Sequence, residues 1–217
     1  HLVQARDGTI VYSTEVCGPG GVLLTEFDPI HERLWLYDRA FLLWSWYWRD
    51  GDPGAADGTI DTGADKACFS MASNRSGTLL ALTMNTGQIY TYSHAQGMVV
   101  SIVNLGDERQ AFSQAIVNCS FGASERYVVC GDAGGKLNFV DVIDGDVVLR
   151  LRAHRSSILT TVVSPDGRNI VTSAVDGECA VWRAPQFLRA ELLDTGILYG
   201  GDVTLSADGT LAAAAAD

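Results

Sequence analysis

The side chains able to do acid–base, nucleophilic or metal chemistry are scattered along this chain. Its four histidines, His1, His31, His94 and His154, have no spacing that would bring two of them to one metal ion. No Gly-rich loop opens a helix to cradle a phosphate; Gly131-Asp132-Ala133-Gly134-Gly135 joins two strand-like stretches instead. No serine sits in a nucleophile elbow, and no His–Cys pairing stands out. The acidic stretch from Asp50 to Gly58, with Asp61 and Asp65 beyond it, opens like a calcium loop. Yet Gly54 stands at a ligand position, Ala55 where the turn needs glycine, and Asp61 where a bidentate Glu belongs. The expectation is no catalytic residue, no metal and no cofactor, with the acidic stretch a solvated loop.

Two segments suit binding better. Phe41-Leu42-Leu43-Trp44-Ser45-Trp46-Tyr47-Trp48 reads as a strand apolar on both faces. It is either core or a protein-binding face, because clustered Trp and Tyr are common interface anchors. Trp44, Trp46, Tyr47 and Trp48 are therefore candidate interface residues. The one basic cluster, Val148 to Arg155, puts Arg150 and Arg152 on the same face of a strand, where they could meet an acidic partner.

Composition narrows the partners. A net charge of −11 and a pI near 4.6 argue against broad contact with nucleic-acid phosphates or an anionic membrane surface. No apolar run reaches the roughly 18 residues of a membrane-crossing helix. Apolar residues at 47% are enough for a packed core. The odd set Cys17, Cys68, Cys119, Cys130 and Cys179 suggests reduced, buried thiols and a cytoplasmic setting. The chain starts at His1 with no signal pattern, so the native N-terminus is expected to lie elsewhere.

The elements that would position these residues repeat. Ser164-Pro165-Asp166-Gly167 is a tight turn, Asn169 to Ala174 a strand, Asp176-Gly177 a second turn, and Cys179 to Arg183 another strand. Asp208-Gly209 repeats the first turn 42 residues on, and Val140-Asp141 precedes Trp182-Arg183 by the same interval. Strand-and-turn units are expected at about 66–104, 111–152 and 157–193, with a partial unit at 199–217. A first unit is placed at about 1–38, with strands at Leu2 to Ala5, Thr9 to Glu15, Val22 to Phe27 and Arg33 to Tyr37, and an insertion at 39–65 after it. A rival register starts at Leu23 to Phe27 and makes Ala40 to Trp46 the third strand. A repeat of roughly 40–45 residues with four strands per unit is the signature of a propeller blade.

These residues resemble the WD-repeat β-propeller family over nearly the whole chain except about 39–65. Most units diverge: Trp182 is followed by Arg183, and the matching pairs elsewhere are Val140-Asp141, Tyr92-Ser93 and Phe27-Asp28. The resemblance implies an all-β fold over 1–217 made of four-stranded antiparallel blades. About four and a half are present, the ring being completed by residues outside this chain. It also implies a structural hydrogen-bond set at His154, Thr172 (or Ser173), Asp176 and Trp182. On that basis, Asp176→Ala would leave buried donors unpaired and cost roughly 1–3 kcal/mol. The implied function is a non-catalytic scaffold that binds other proteins of a multi-subunit complex, with no small-molecule substrate. Alternatives are an architectural part of a ciliary or cytoskeletal complex, or a propeller-fold hydrolase or oxidoreductase.

Overall fold

A computed structural model describes residues 2–3, 10–12, 22–28, 30–40, 42–47, 67–105, 115–183, 188–193, 200–206 and 211–216. The described elements are all β-strands, and the chain divides into two compact units, His1–Asp65 and Lys66–Asp217.

In the first unit, β1 (Leu2–Val3) and β2 (Ile10–Tyr12) pair as a two-stranded sheet of their own. A separate antiparallel sheet runs β3 (Val22–Asp28), β4 (Arg33–Asp38) and β5 (Leu43–Tyr47). This corrects the register preferred from the sequence. Val22 to Asp28 opens a sheet rather than forming its third strand, and 43–47 is a strand rather than the start of an insertion. Asp38 supplies the physical reason. One carboxylate oxygen accepts the Ala40 and Leu42 amides at 2.8 and 3.0 Å, and the other accepts Trp44 Nε1–H at 2.8 Å. The turn after β4 is thereby capped and β5 is locked beside it. Residues 48–66, including most of the proposed insertion, lie outside the described residues.

The second unit holds three four-stranded antiparallel sheets, all open. They are β6 (Cys68–Ser73) to β9 (Met98–Asn104), with β7 at Leu79–Met84 and β8 at Gln88–Ser93; β10 (Ile116–Phe121) to β13 (Asp146–Arg152), with β11 at Tyr127–Asp132 and β12 at Lys136–Asp141; and β14 (Ile158–Val163) to β17 (Leu188–Leu193), with β15 at Asn169–Ala174 and β16 at Cys179–Arg183. A pair, β18 (Gly200–Leu205) and β19 (Ala212–Ala216), follows.

The first turn of three of the four sheets in the second unit uses one device. The side chain ending the first strand accepts the amide five residues on: Asn74 from Leu79 at 3.0 Å, Ser164 from Asn169 at 2.9 Å, Ser206 from Leu211 at 2.9 Å. Gly77 and Gly167 take the left-handed conformation this turn needs, at φ 66° and 70°. In the β10–β11 turn Glu125 stands in that place at φ 60°, a strained angle for a residue with a Cβ. Its carboxylate crosses to the preceding sheet, accepting from Asn74 Nδ2 at 3.2 Å and from the Ser76 hydroxyl.

The first strands β6, β10, β14 and β18 lie side by side in that order. Asn118 joins three of the sheets, donating to Ser70 Oγ at 3.4 Å and accepting the Thr161 amide at 2.8 Å. Thr160 continues the series, donating to Asp202 at 2.9 Å. Gly131 on β11 is a point of close approach between two sheets: a Cβ there would sit 2.3 Å from Ile158 Cγ2. Gly131→Ala is therefore expected to overpack this seam and cost about 1–3 kcal/mol in urea unfolding.

Candidate functional site

The residues singled out from the sequence fall into three places. The first is the entry to the sheet β14–β17. The segment leading into β14 is pinned to the preceding turn, where the Gly135 carbonyl accepts the Ala153 and His154 amides at 2.9 and 3.0 Å. Gly135 itself has φ 79°, and a Cβ there would meet the His154 and Ser156 carbonyl oxygens at 2.4 and 2.6 Å. His154 is thus held buried with Nε2 2.7 Å from Thr172 Oγ1 on β15. The same hydroxyl accepts Trp182 Nε1–H from β16 at 3.0 Å. The imidazole and indole rings meet edge to face, 6.5 Å apart between centroids. Of the two possible β15 residues, Thr172 makes these bonds.

Asp176 behaves differently. It is exposed, and its Oδ1 accepts the Glu178 amide at 3.1 Å. A ligand-type atom from each of His154, Asp176 and Glu178 lies within 4.8 Å of the others, and His154 Nδ1 is 3.8 Å from the Glu178 carboxylate. Three such donors are one short of a closed tetrahedral zinc set and equal in number to those of an open one. The geometry that is built is one buried hydroxyl joining an imidazole and an indole. The buried-donor cost expected for Asp176→Ala accordingly moves to Thr172; loss of the exposed Asp176 carboxylate should cost less than about 1 kcal/mol in a denaturant melt.

The second place is the aromatic run. Trp46 is 4% exposed and belongs to the core. Trp44 is half-buried with its indole bonded to Asp38, and half-buried Tyr47 has the Arg33 guanidinium 5.7 Å from its ring centroid. Of the two alternatives, Trp46 takes the core one, and Trp44 and Tyr47 keep part of their surface open while making these contacts; Trp48 lies outside the described residues. Close by is a feature the sequence reading missed. Arg33 is fully buried, donating to Asp28 at 2.9 Å and lying 4.1 Å over the Trp35 ring. His31 Nδ1 is 2.9 Å from the same Asp28 carboxylate. Burial pushes the Asp28 carboxyl up, but the bonds from Arg33 and His31 outweigh it and hold it below its ordinary range. An Asp–Pro start followed by His, Glu and Arg reads as a solvated turn, so no sequence signal marks the pair as buried.

The third place is β13. Arg150 is not a free anchor: it donates to Asn138 Oδ1 at 2.7 Å and to the Leu105 carbonyl of the preceding sheet at 3.0 Å. Arg152 is exposed, directly across from Lys136. A further missed residue is Asp132, which repeats the Asp38 arrangement. It accepts the amides two and four residues on (Gly134, Lys136) and a side-chain donor six residues on (Asn138). The shared spacing of an Asp at a strand end and a donor side chain six residues later is a signal that could have found both.

Apolar side chains on outer strands are exposed as well. On β9, at the edge of its sheet, Met98, Val100 and Ile102 are 56%, 40% and 52% exposed in strict alternation. Between the sheets β10–β13 and β14–β17 lies a cavity of about 280 Å³, floored by Val129, Phe139 and Ile170.

No known protein-family model matches the chain. Protein TEX1 of Saccharomyces cerevisiae, a WD-repeat protein, is 26% identical over 85 residues, 38% of this chain. The match spans 20% of TEX1, so it speaks to a region of that protein and not to the whole.

Proposed function

We propose that this chain is a WD-repeat-like β-propeller segment that binds other proteins and performs no catalysis. The observation that carries the proposal is the edge strand β9, which presents Met98, Val100 and Ile102 outward in a row. An apolar row on an unpaired strand edge is normally charged, covered or used. Successive four-stranded antiparallel sheets with adjoining first strands, and the similarity to TEX1, support the propeller reading. Cys68, Cys119, Cys130 and Cys179 are buried free thiols, which suits a reducing compartment.

The test is a double substitution, Val100→Lys with Ile102→Lys, in the full-length protein purified natively from its own cells. Both side chains face solvent, so melting should be nearly unchanged. At least one near-stoichiometric partner of the wild type should be lost from the variant. A wild type that carries no such partner, or a variant that keeps them all, contradicts the reading.

A further inference from the structure

We propose that the cavity between the sheets β10–β13 and β14–β17 receives one large apolar side chain of a partner peptide whose flanking residues are Lys or Arg. The inference rests on the protein-binding reading and names a second, separate surface for it.

The cavity has a cause in the sequence. The last residue of the first strand is Phe121 in β10 and Val163 in β14, each paired to the second residue of the following strand (Val128 and Ile170). At the seam with β6–β9, Phe121 packs against the apolar cluster that fills that junction. At the next seam the corresponding side chain is the smaller Val163, and open space remains beside Val129, Phe139 and Ile170. The turns above cannot fill it. Gly122, Ala123 and Gly167 line this end, and Ala123 nests so closely that a Cβ on Gly167 would lie 2.6 Å from it.

The mouth is open and amphipathic. Val148, 59% exposed, and half-exposed Tyr127 stand at its edge with Asp166. A volume near 280 Å³ is at the lower end for ligand pockets and suits a single side chain better than a cofactor. The charge around it is acidic. Tyr127 lies across from Asp141, and Asp141 across from Asp146, with Asp144 between them in the turn. With Asp166 this makes four carboxylates, against Arg126, Arg168 and, across from Asn169, Arg183. Arg126 pairs with Asp141 and Asp144, and Arg168 sits 3.8 Å from Asp166, which leaves exposed Asp146, two residues before Val148, as the open carboxylate beside the mouth. That open carboxylate favours a cationic flank.

The test is selection of a random heptapeptide display library on the full-length protein, followed by affinity measurement of enriched synthetic peptides. Enriched peptides should carry one Leu, Met or Phe between Lys or Arg residues. Val163→Phe places in β14 the ring that β10 already accommodates and should weaken these peptides about tenfold or more. Val148→Arg, at an exposed position and safe for folding, should weaken them as well by covering the mouth and repelling the flank. Peptides with acidic flanks, peptides indifferent to both variants, or no enrichment overturn the proposal. If native partners stay bound to both variants while the β9 variant loses them, the protein-binding reading stands and this one falls.

Discussion

Asp28→Ala is expected to destabilise the first unit by roughly 3–5 kcal/mol, the typical penalty for stripping one partner from a buried ion pair. Asp28 and Arg33 are both fully buried, and Arg33 is enclosed by Trp35 and Tyr47, so the remaining guanidinium could not reach water without unpacking β4 and β5. Against a total stability of about 5–15 kcal/mol for a typical domain, this should appear as loss of the unit's tryptophan fluorescence transition at ambient temperature. Asp28→Leu combined with Arg33→Met should recover most of it, because an apolar pair of similar bulk has no charge to solvate. The same carboxylate sets an acid limit. Its pKa is lower folded than unfolded, so the unfolded chain takes up the proton first as pH falls. The stabilisation is complete above about pH 4 and is lost as acidification passes through the folded value. A unit whose stability is flat from pH 5 to pH 2 would contradict the role given to Asp28.

Thr172→Val should cost about 2–4 kcal/mol in the second unit. The substitution keeps the side-chain shape but removes the hydroxyl that meets both Trp182 Nε1–H and His154 Nε2, leaving two buried polar groups without it. In a protein of this size that corresponds to a drop in melting temperature on the order of 5–10 °C. Asp176→Ala, four residues away but exposed, should shift it by a degree or two. The contrast between the two variants carries the prediction. Equal losses would mean that Asp176, not Thr172, is the centre of the buried network.

How much of this was legible in the sequence depended on whether the decisive residue acts locally. The turns at Ser164–Gly167 and Asp176–Gly177 announce themselves because glycine and aspartate act within four or five residues, and the strands of the second unit follow from them. The register of the first unit was not legible, because it depends on Asp28 and Arg33 being buried together and on Asp38 reaching Trp44. A pattern of polar residues does not show which charges leave water. The aromatic run stayed ambiguous for a related reason: apolar faces look the same whether covered by their own sheet or by a partner, and only the structure shows Trp46 to be core. Conversely, Met98, Val100 and Ile102 look like any strand interior until their exposure is seen. The cavity was invisible because its lining comes from two sheets, and a difference such as Phe121 against Val163 matters only where sheets meet.

Amide hydrogen exchange on the full-length protein, free and then within its native assembly, tests the protein-binding claim most directly. The outer strands β9 and β13 have edge amides that no other strand of their own sheets covers, so a partner seated there must slow them. The expected result is added protection over 98–104 and over 146–152, with the first strands β6, β10 and β14 unchanged. An exchange map identical in both states along every outer strand would contradict the claim that this surface exists to bind protein.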